Sequence, residues 1–198
     1  MTAGGSRGEV RRENKIKQVY PMFPAQTFQH RTGSQGHVTF KIAPYTNLRW
    51  RDYEFSGTII KLPDSIVYDS AEVSLPFYCD NNSSSYTVQF KMDGIHLKGP
   101  NIDSVKSFTF NHGDTVRYQI SARTLPKNNL PDKITDIEVN IKKNNNSWER
   151  KFAYSDESDQ RIQSGLPAVR VDLSQIANYS ERNLVPFKFK DISVQKKN

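Results

Sequence analysis

The stretch IEVNIKKNNNSWERKFAY, residues 137–154, decides the fold class of this chain. Its first six residues alternate strictly between apolar and polar, and most of its second half keeps one apolar face. Successive side chains of a β-strand point to opposite faces of the sheet, so this period of two predicts two strands. The segment Lys143–Asn146 between them is rich in asparagine, which tolerates left-handed backbone. We therefore predict a β-hairpin, in which Arg150 is the one exception to the apolar pattern.

The same alternation recurs on the N-terminal side of this hairpin. Val116–Ala122 is a strong run, and Tyr86–Met92 joins Ile95–Lys98 through Asp93-Gly94, a dipeptide typical of hairpin turns. Asn111–Asp114 predicts another turn. Weaker patterns predict strands at residues 37–42, 55–62, 72–77, 106–110, 169–173 and 185–189.

Helix is scarce, and the only candidate is Ser174–Arg182. About ten strands at short spacing with one short helix near the C-terminus predict an all-β fold, namely an antiparallel, jelly-roll-like β-sandwich or barrel. Residues 1–18 carry many charges and few apolar groups, which predicts a flexible basic N-terminal arm. We expect residues 19–194 to form a single β-sandwich domain and residues 195–198 to be a frayed basic tail.

Composition excludes several classes of protein. Mean hydropathy is −0.71, and no apolar run in the 198 residues approaches the roughly 20 that a transmembrane helix needs. The first 20 residues contain no apolar segment typical of a secretory signal. The single cysteine, Cys79, excludes a disulfide framework. These observations predict a cytoplasmic or virion location.

The net charge of +7 is concentrated at the two ends of the chain. Residues 1–51 hold 9 basic and 2 acidic side chains, and residues 139–198 hold 11 and 7, whereas residues 52–138 are net acidic. Such asymmetry favours contact with nucleic acid or an anionic membrane. The predicted polyanion-binding residues are Arg7, Arg11, Arg12, Lys15, Lys17, Arg49, Trp50, Arg51, Lys142, Lys143, Arg150 and Lys151. The alternative for the cluster at residues 49–53 is that Trp50 or Tyr53 packs in the core.

Motifs for catalysis are not recognisable in the sequence. The four histidines lack metal-ligand spacing, and neither a phosphate loop nor a nucleophile elbow occurs. The carboxylates of Asp52 and Glu54 share one face of a predicted strand and are the first pair to consider for acid–base chemistry. Asp156, Glu157 and Asp159 could bind calcium, but a solvated acidic loop is the interpretation that we favour. We therefore expect no catalytic residue, no cofactor and no metal, and hence a protein that is not an enzyme.

A basic arm before an all-β body is typical of virion structural proteins, such as coat or matrix proteins. Our first hypothesis is a protein that self-assembles, binds nucleic acid or an anionic membrane surface, and contacts other structural proteins. The alternative is a carbohydrate- or peptide-binding β-sandwich module that uses exposed aromatic residues. A third possibility is an all-β hydrolase with a carboxylate pair that the sequence does not reveal.

Overall fold

A computed structural model describes residues 11–13, 17–19, 26–27, 37–41, 51–62, 72–79, 85–127, 130–172 and 187–197. Fourteen strands lie in these residues. The first seven are β1 (Arg11–Glu13), β2 (Lys17–Val19), β3 (Gln26–Thr27), β4 (His37–Lys41), β5 (Asp52–Lys61), β6 (Glu72–Phe77) and β7 (Tyr86–Lys91). The others are β8 (Gly94–Gly99), β9 (Ile102–Lys106), β10 (Thr115–Lys127), β11 (Leu130–Lys143), β12 (Glu149–Asp156), β13 (Ala168–Asp172) and β14 (Phe187–Lys196).

The strands form two antiparallel sheets. The larger sheet has the order β1-β2-β14-β5-β10-β11-β12, with β3 also paired to β14. The smaller sheet has the order β4-β13-β6-β7-β8-β9. Apolar side chains that alternate along the strands of both sheets meet in one core. The predicted all-β sandwich is therefore confirmed, although the chain uses more strands than the ten we expected.

Both hairpins predicted from turn chemistry are present. Strands β11 and β12 pair around Lys143–Asn146, and Asn144 has the left-handed φ of 52° that an asparagine-rich turn provides. Strands β7 and β8 pair with Lys91 opposite Gly94. The exception at Arg150 has a structural cause. Lys151 is an extra residue in β12, so Arg150 pairs with Asn140 on the outer face while Phe152 pairs with Val139 in the core.

One predicted strand and one predicted helix are not found in the described residues. The predicted strand at residues 106–110 is wrong, because β9 ends at Lys106 and no strand follows until Thr115. Phe108 and Phe110 instead pack against Phe90 from a connecting segment, with ring centroids 5.7 and 5.9 Å away. The predicted helix Ser174–Arg182 lies outside the described residues. Within those residues, no helix is long and apolar enough to cross a membrane.

One end of the sandwich is closed by residues 157–166, which cross between the sheets. The hydroxyl of Tyr86 donates to the buried carboxylate of Asp156 at 2.5 Å and accepts from the Ile162 backbone N–H at 3.2 Å. Thr135 donates to the Ile162 carbonyl at 2.9 Å. These hydrogen bonds give partners to polar groups at the edge of the core. Buried polar groups without partners would lower the stability of the fold.

Candidate functional site

The outer face of the larger sheet is a polar surface built by strand alternation. Along β5, the side chains of Tyr53 and Phe55 enter the core, so Glu54 and Ser56 point outward. The same rule turns the polar residues of β10, β11 and β14 to this outer face. Because strand partners in register share a face, these residues form rows that run across the sheet.

Two of the rows lie near the middle of the sheet. One is neutral over four strands and ends in a cation: Ser193, Ser56, Gln119, Asn140 and Arg150. The next row carries two carboxylates: Gln195, Glu54, Ser121, Glu138 and Ala153. Together, the two rows therefore present amide, hydroxyl and carboxylate groups side by side.

The central members of these rows line an open groove with a volume of about 550 Å³, which we call the outer-face groove. Its walls are contributed by β5, β10, β11, β12 and the segment after β14. The lining residues are Glu54, Gln119, Ser121, Arg123, Asp136, Ile137, Glu138, Asn140, Ala153, Tyr154, Ser155 and Lys197. Most of the lining surface is polar, so the groove suits a ligand with many hydrogen-bonding groups.

Local partners position the carboxylates of the groove. Lys197 Nζ lies 2.5 Å from Glu54 Oε2, and Asn140 donates to Glu138 Oε1 at 2.8 Å. Ser155 donates to Asp136 Oδ1 at 2.5 Å. An ionised carboxylate has about four acceptor positions, so each of the three keeps acceptor capacity for a ligand.

Tyr154 of the edge strand β12 borders the groove, but its side chain lies on the inner side of the sheet, because its strand partner is the core residue Ile137. Burial, with a smaller contribution from the Asp156 carboxylate, raises the pKa of the Tyr154 phenol. Its hydroxyl therefore stays protonated at neutral pH and donates to the Asn101 carbonyl at 3.3 Å.

A row of cations borders the groove on its neutral side. Lys190 of β14 and Arg117 of β10 both pair with Thr58 of β5, and Arg117 pairs in turn with Lys142 of β11. We call Lys190, Arg117 and Lys142 the cationic row. Arg117 is exposed and both lysines are half-buried. Within the described part of the chain, none of the three has an ion pair with a carboxylate.

The structure divides the basic patch predicted at the hairpin. Lys142 and Arg150 lie on the outer face, as neighbours of the groove. Lys143 and Lys151 instead turn to the Phe108 ring, with their Nζ atoms 5.9 and 5.6 Å from its centroid. Lys143 also pairs with Asp114 at 2.8 Å. These two lysines are therefore occupied by contacts within the protein.

The other predicted polyanion-binding residues are dispersed. Arg51 is exposed beside Tyr53, which is fully buried in the core. Arg11 and Arg12 lie in β1 and Lys17 in β2, at one edge of the larger sheet. The remaining members of that prediction, Arg7, Lys15, Arg49 and Trp50, lie outside the described residues. Binding of a polyanion by these residues stays a prediction.

The acidic candidates from the sequence have distinct surroundings. Asp52 and Glu54 lie on the same outer face, as predicted for the pair, and Arg123 Nε lies 3.6 Å from Asp52 Oδ1. In the predicted calcium loop, Asp156 is buried and bound by Tyr86 and Ser158. No three metal-ligating side chains come together among the residues that the structure describes.

Sequence reasoning missed most residues of the groove. Gln119, Ser121, Glu138 and Asn140 belong to the polar sides of runs whose alternation was recognised. The signal in the sequence that could have found these residues is the polar face of each alternating run. The pattern did not show that β5, β10 and β11 lie side by side, because that order depends on pairing between residues distant in sequence.

Comparisons with known proteins show the architecture only. No family model matches the chain, and no curated protein matches it.

Several solved structures are similar in shape. The carbohydrate-binding module CBM66 from Bacillus subtilis is 10% identical, covers 87% of this chain and 89% of its own, and has a TM-score of 0.40. A GH131 β-glucanase catalytic domain from Podospora anserina is 6% identical, with 98% and 86% covered and a TM-score of 0.46. A PL-14 alginate lyase from Aplysia kurodai is 8% identical, with 81% and 82% covered and a TM-score of 0.42. Similarity this remote assigns no activity.

The prediction that the chain is not an enzyme is wrong. It rested on the absence of a recognisable catalytic motif from the sequence. The solved structures that resemble this chain include a β-glucanase catalytic domain and an alginate lyase.

Proposed function

We propose that this protein binds a polysaccharide in the outer-face groove. The observation that carries the proposal is the pair of central rows, in which amide, hydroxyl and carboxylate groups of the three adjacent strands β5, β10 and β11 face one open groove. Each sugar hydroxyl both donates and accepts a hydrogen bond. A surface that mixes amides, which do both, with carboxylates, which accept, complements such a ligand.

The position of the groove favours a sugar chain over a peptide. Extended peptides commonly bind by adding a strand to a free sheet edge, where backbone groups are unpaired. The groove instead lies over β5, β10 and β11, and both edges of each of these strands are paired to a neighbour. Ligand binding there depends on side chains alone, which suits the hydroxyl groups of a sugar.

The virion hypothesis finds less support in this geometry. The large aromatic side chains of β5 and β10, including Tyr53, Phe55 and Tyr118, lie in the core and offer no stacking surface for bases. Two carboxylates in the middle of the groove would repel phosphate groups, like any other anion, that lie directly over them. Self-assembly and contact with other structural proteins remain predictions.

Affinity electrophoresis tests the proposal with gels that contain a soluble β-glucan, polygalacturonate or a sulfated galactan. We expect at least one polysaccharide to retard the wild-type protein. The double variant Gln119→Ala, Asn140→Ala should bind about tenfold more weakly, because each lost hydrogen bond contributes roughly 0.5–1.5 kcal/mol. A matched control is Gln89→Ala, which removes an amide from β7 of the smaller sheet, where it contacts Ser74 at 3.4 Å.

Two results would contradict the proposal. One is a wild-type protein that no polysaccharide retards at any concentration. The other is a double variant that is retarded as strongly as the wild type while both proteins melt at the same temperature. Equal losses in Gln89→Ala and in the double variant would likewise place the site elsewhere.

A further inference from the structure

We infer that the polysaccharide is acidic, and that the cationic row binds its carboxylate or sulfate groups. This inference rests on the proposed function, because the row borders the outer-face groove. It adds the chemical class of the ligand, which the neutral and acidic rows of the groove do not specify.

The register places the three cations in one line across the sheet, with Thr58 between Lys190 and Arg117. Lys190, Thr58, Arg117 and Lys142 follow one another on four adjacent strands. Neighbouring strands are about 4.8 Å apart, so the row spans roughly 14 Å across the sheet. A row of this length can meet charged groups on more than one sugar residue of an extended chain.

The cations of the row differ from several other cations of the protein in having no acidic partner among the described residues. Lys91 pairs with Glu72, Lys98 with Asp103 and Lys143 with Asp114, at 3.1, 3.4 and 2.8 Å. In the described part of the molecule, the three cations of the row have no such pair. Like charges directly opposite each other on adjacent strands destabilise a sheet, and Arg117 and Lys142 are such a pair. A bound anion would remove this repulsion.

The arrangement of charge along the strands favours an acidic chain that lies across the strands, along the cationic row. The neutral row containing Gln119 lies two residues from the cationic row, and the row containing Glu54 and Glu138 lies four residues away, about 14 Å along the strands. An acidic chain that crosses the groove along the strands carries anions over those carboxylates. An acidic polysaccharide that lies along the cationic row instead places its anions on the cations and its hydroxyl groups on the neutral row.

Isothermal titration with two forms of one polymer tests the inference. Polygalacturonate carries a carboxylate on each residue, and its fully methyl-esterified form has the same backbone without the charge. We expect wild-type protein to bind the acidic form at least about tenfold more tightly, and this preference to fall as salt rises from about 50 to 500 mM. A sulfated galactan and its desulfated form make the corresponding test for sulfate.

The double variant Arg117→Gln, Lys142→Gln removes two charges and keeps long polar side chains. It should lose the preference for the acidic polymer, retain the affinity for the esterified one, and unfold at the same or a higher temperature than wild type. The matched control is Lys91→Gln, Lys98→Gln on the smaller sheet, which should retain the preference. Lys190→Gln provides an independent variant of the row and should weaken the same preference.

The outcomes separate this inference from the proposed function. Equal binding of charged and esterified polymer overturns the inference and leaves polysaccharide binding intact. A preference that survives in the Arg117 and Lys142 double variant also overturns it, because the row then does not carry the charge recognition. Single-stranded RNA that displaces polygalacturonate at equal charge concentration overturns it in favour of a nucleic acid. Failure of every polysaccharide to bind overturns both proposals.

Discussion

The close approach of Gly57 and Tyr118 shows how tightly residues fit inside the sandwich. A Cβ atom added at Gly57 would lie 2.6 Å from Tyr118 Oη and 2.9 Å from Cζ. Burial raises the pKa of the Tyr118 phenol well above its usual value, and its hydroxyl has no hydrogen-bond partner among the described residues. Glycine at this position therefore leaves room for the ring.

We predict that Gly57→Ala lowers the free energy of unfolding by about 1–3 kcal/mol, because the added methyl group overpacks the core. Tyr118→Phe should be neutral or stabilising, since it removes a buried hydroxyl that has no partner. In the double variant, Tyr118→Phe should recover part of the loss by removing the 2.6 Å contact. Urea denaturation of the four proteins measures these changes. A Gly57→Ala variant as stable as wild type would show that the core can shift to accept the methyl group.

Asp114 makes stability depend on pH. Burial raises the pKa of its carboxyl, but hydrogen bonds from Lys143 and Asn144 and from the Asn111 backbone N–H outweigh burial and leave the pKa below its ordinary value. An acid whose pKa is lowered by folding stabilises the native state above its unfolded-state pKa of about 3.9, and this contribution is lost as pH falls through the lower folded-state value.

We therefore predict that the stability advantage of wild type over Asp114→Asn is largest near neutral pH and shrinks as the pH falls below about 4. Urea unfolding at a series of pH values measures the difference. Asp103→Asn is a suitable control, because Asp103 is mostly exposed and its pair with Lys98 lies at 3.4 Å. A difference between wild type and Asp114→Asn that does not change with pH would contradict the assignment.

At the scale of elements, local patterns predicted the hairpins and missed what depends on distant residues. Alternation and turn residues were sufficient for β7–β8 and for β11–β12. Strand β9 was missed because its side chains are mostly exposed and show little apolar alternation. The misplaced strand at residues 106–110 has the opposite cause, since two phenylalanines that pack from a loop imitate one face of a strand.

The same contrast between local patterns and distant pairing applies to the candidate site. The outward residues of each strand could be predicted from the sequence, including Glu138 and Asn140 as the polar side of the strongest run. Their assembly into a groove could not be predicted, because it needs β5, β10 and β11 in adjacent positions and in a specific register. Lys142 lies on the outer face, whereas Lys143 contacts the Phe108 ring. This difference could not be predicted either, because Phe108 is distant in sequence.

Gly94 and Gly113 both have a positive φ at turns between strands, but their surroundings differ. Gly94 begins β8 with a φ of +148°, and an added Cβ would collide with the Lys106 carbonyl of β9. Gly113 has a φ of +81° in the turn before β10, but an added Cβ there would meet no atom within 4 Å.

We predict that Gly94→Ala destabilises the protein more than Gly113→Ala does. Backbone strain alone should cost about 1–2 kcal/mol at either position, and Gly94→Ala adds a clash that separates β8 from β9. Hydrogen exchange should show loss of protection in β9 only for Gly94→Ala. Equal destabilisation with unchanged exchange in β9 would mean that the clash is relieved without disturbing the pairing.

At the scale of the whole molecule, the two sheets use one core but present different outer surfaces. The larger sheet carries a groove with polar rows and a bordering row of cations that have no ion pair with another described residue. In the described part of the smaller sheet, outward lysines such as Lys91 and Lys98 are neutralised by acidic neighbours. The contrast in charge pairing makes the larger sheet the face on which we expect a ligand.

Chemical-shift mapping by NMR tests this central claim most directly. Amide and side-chain signals would be followed while short galacturonate oligosaccharides are titrated into the 198-residue protein. We predict that the largest changes occur at Gln119, Asn140, Arg117 and Lys142 on the larger sheet, and that Gln89 on the smaller sheet does not respond. Changes centred on the smaller sheet, or no changes at saturating oligosaccharide, would contradict the account.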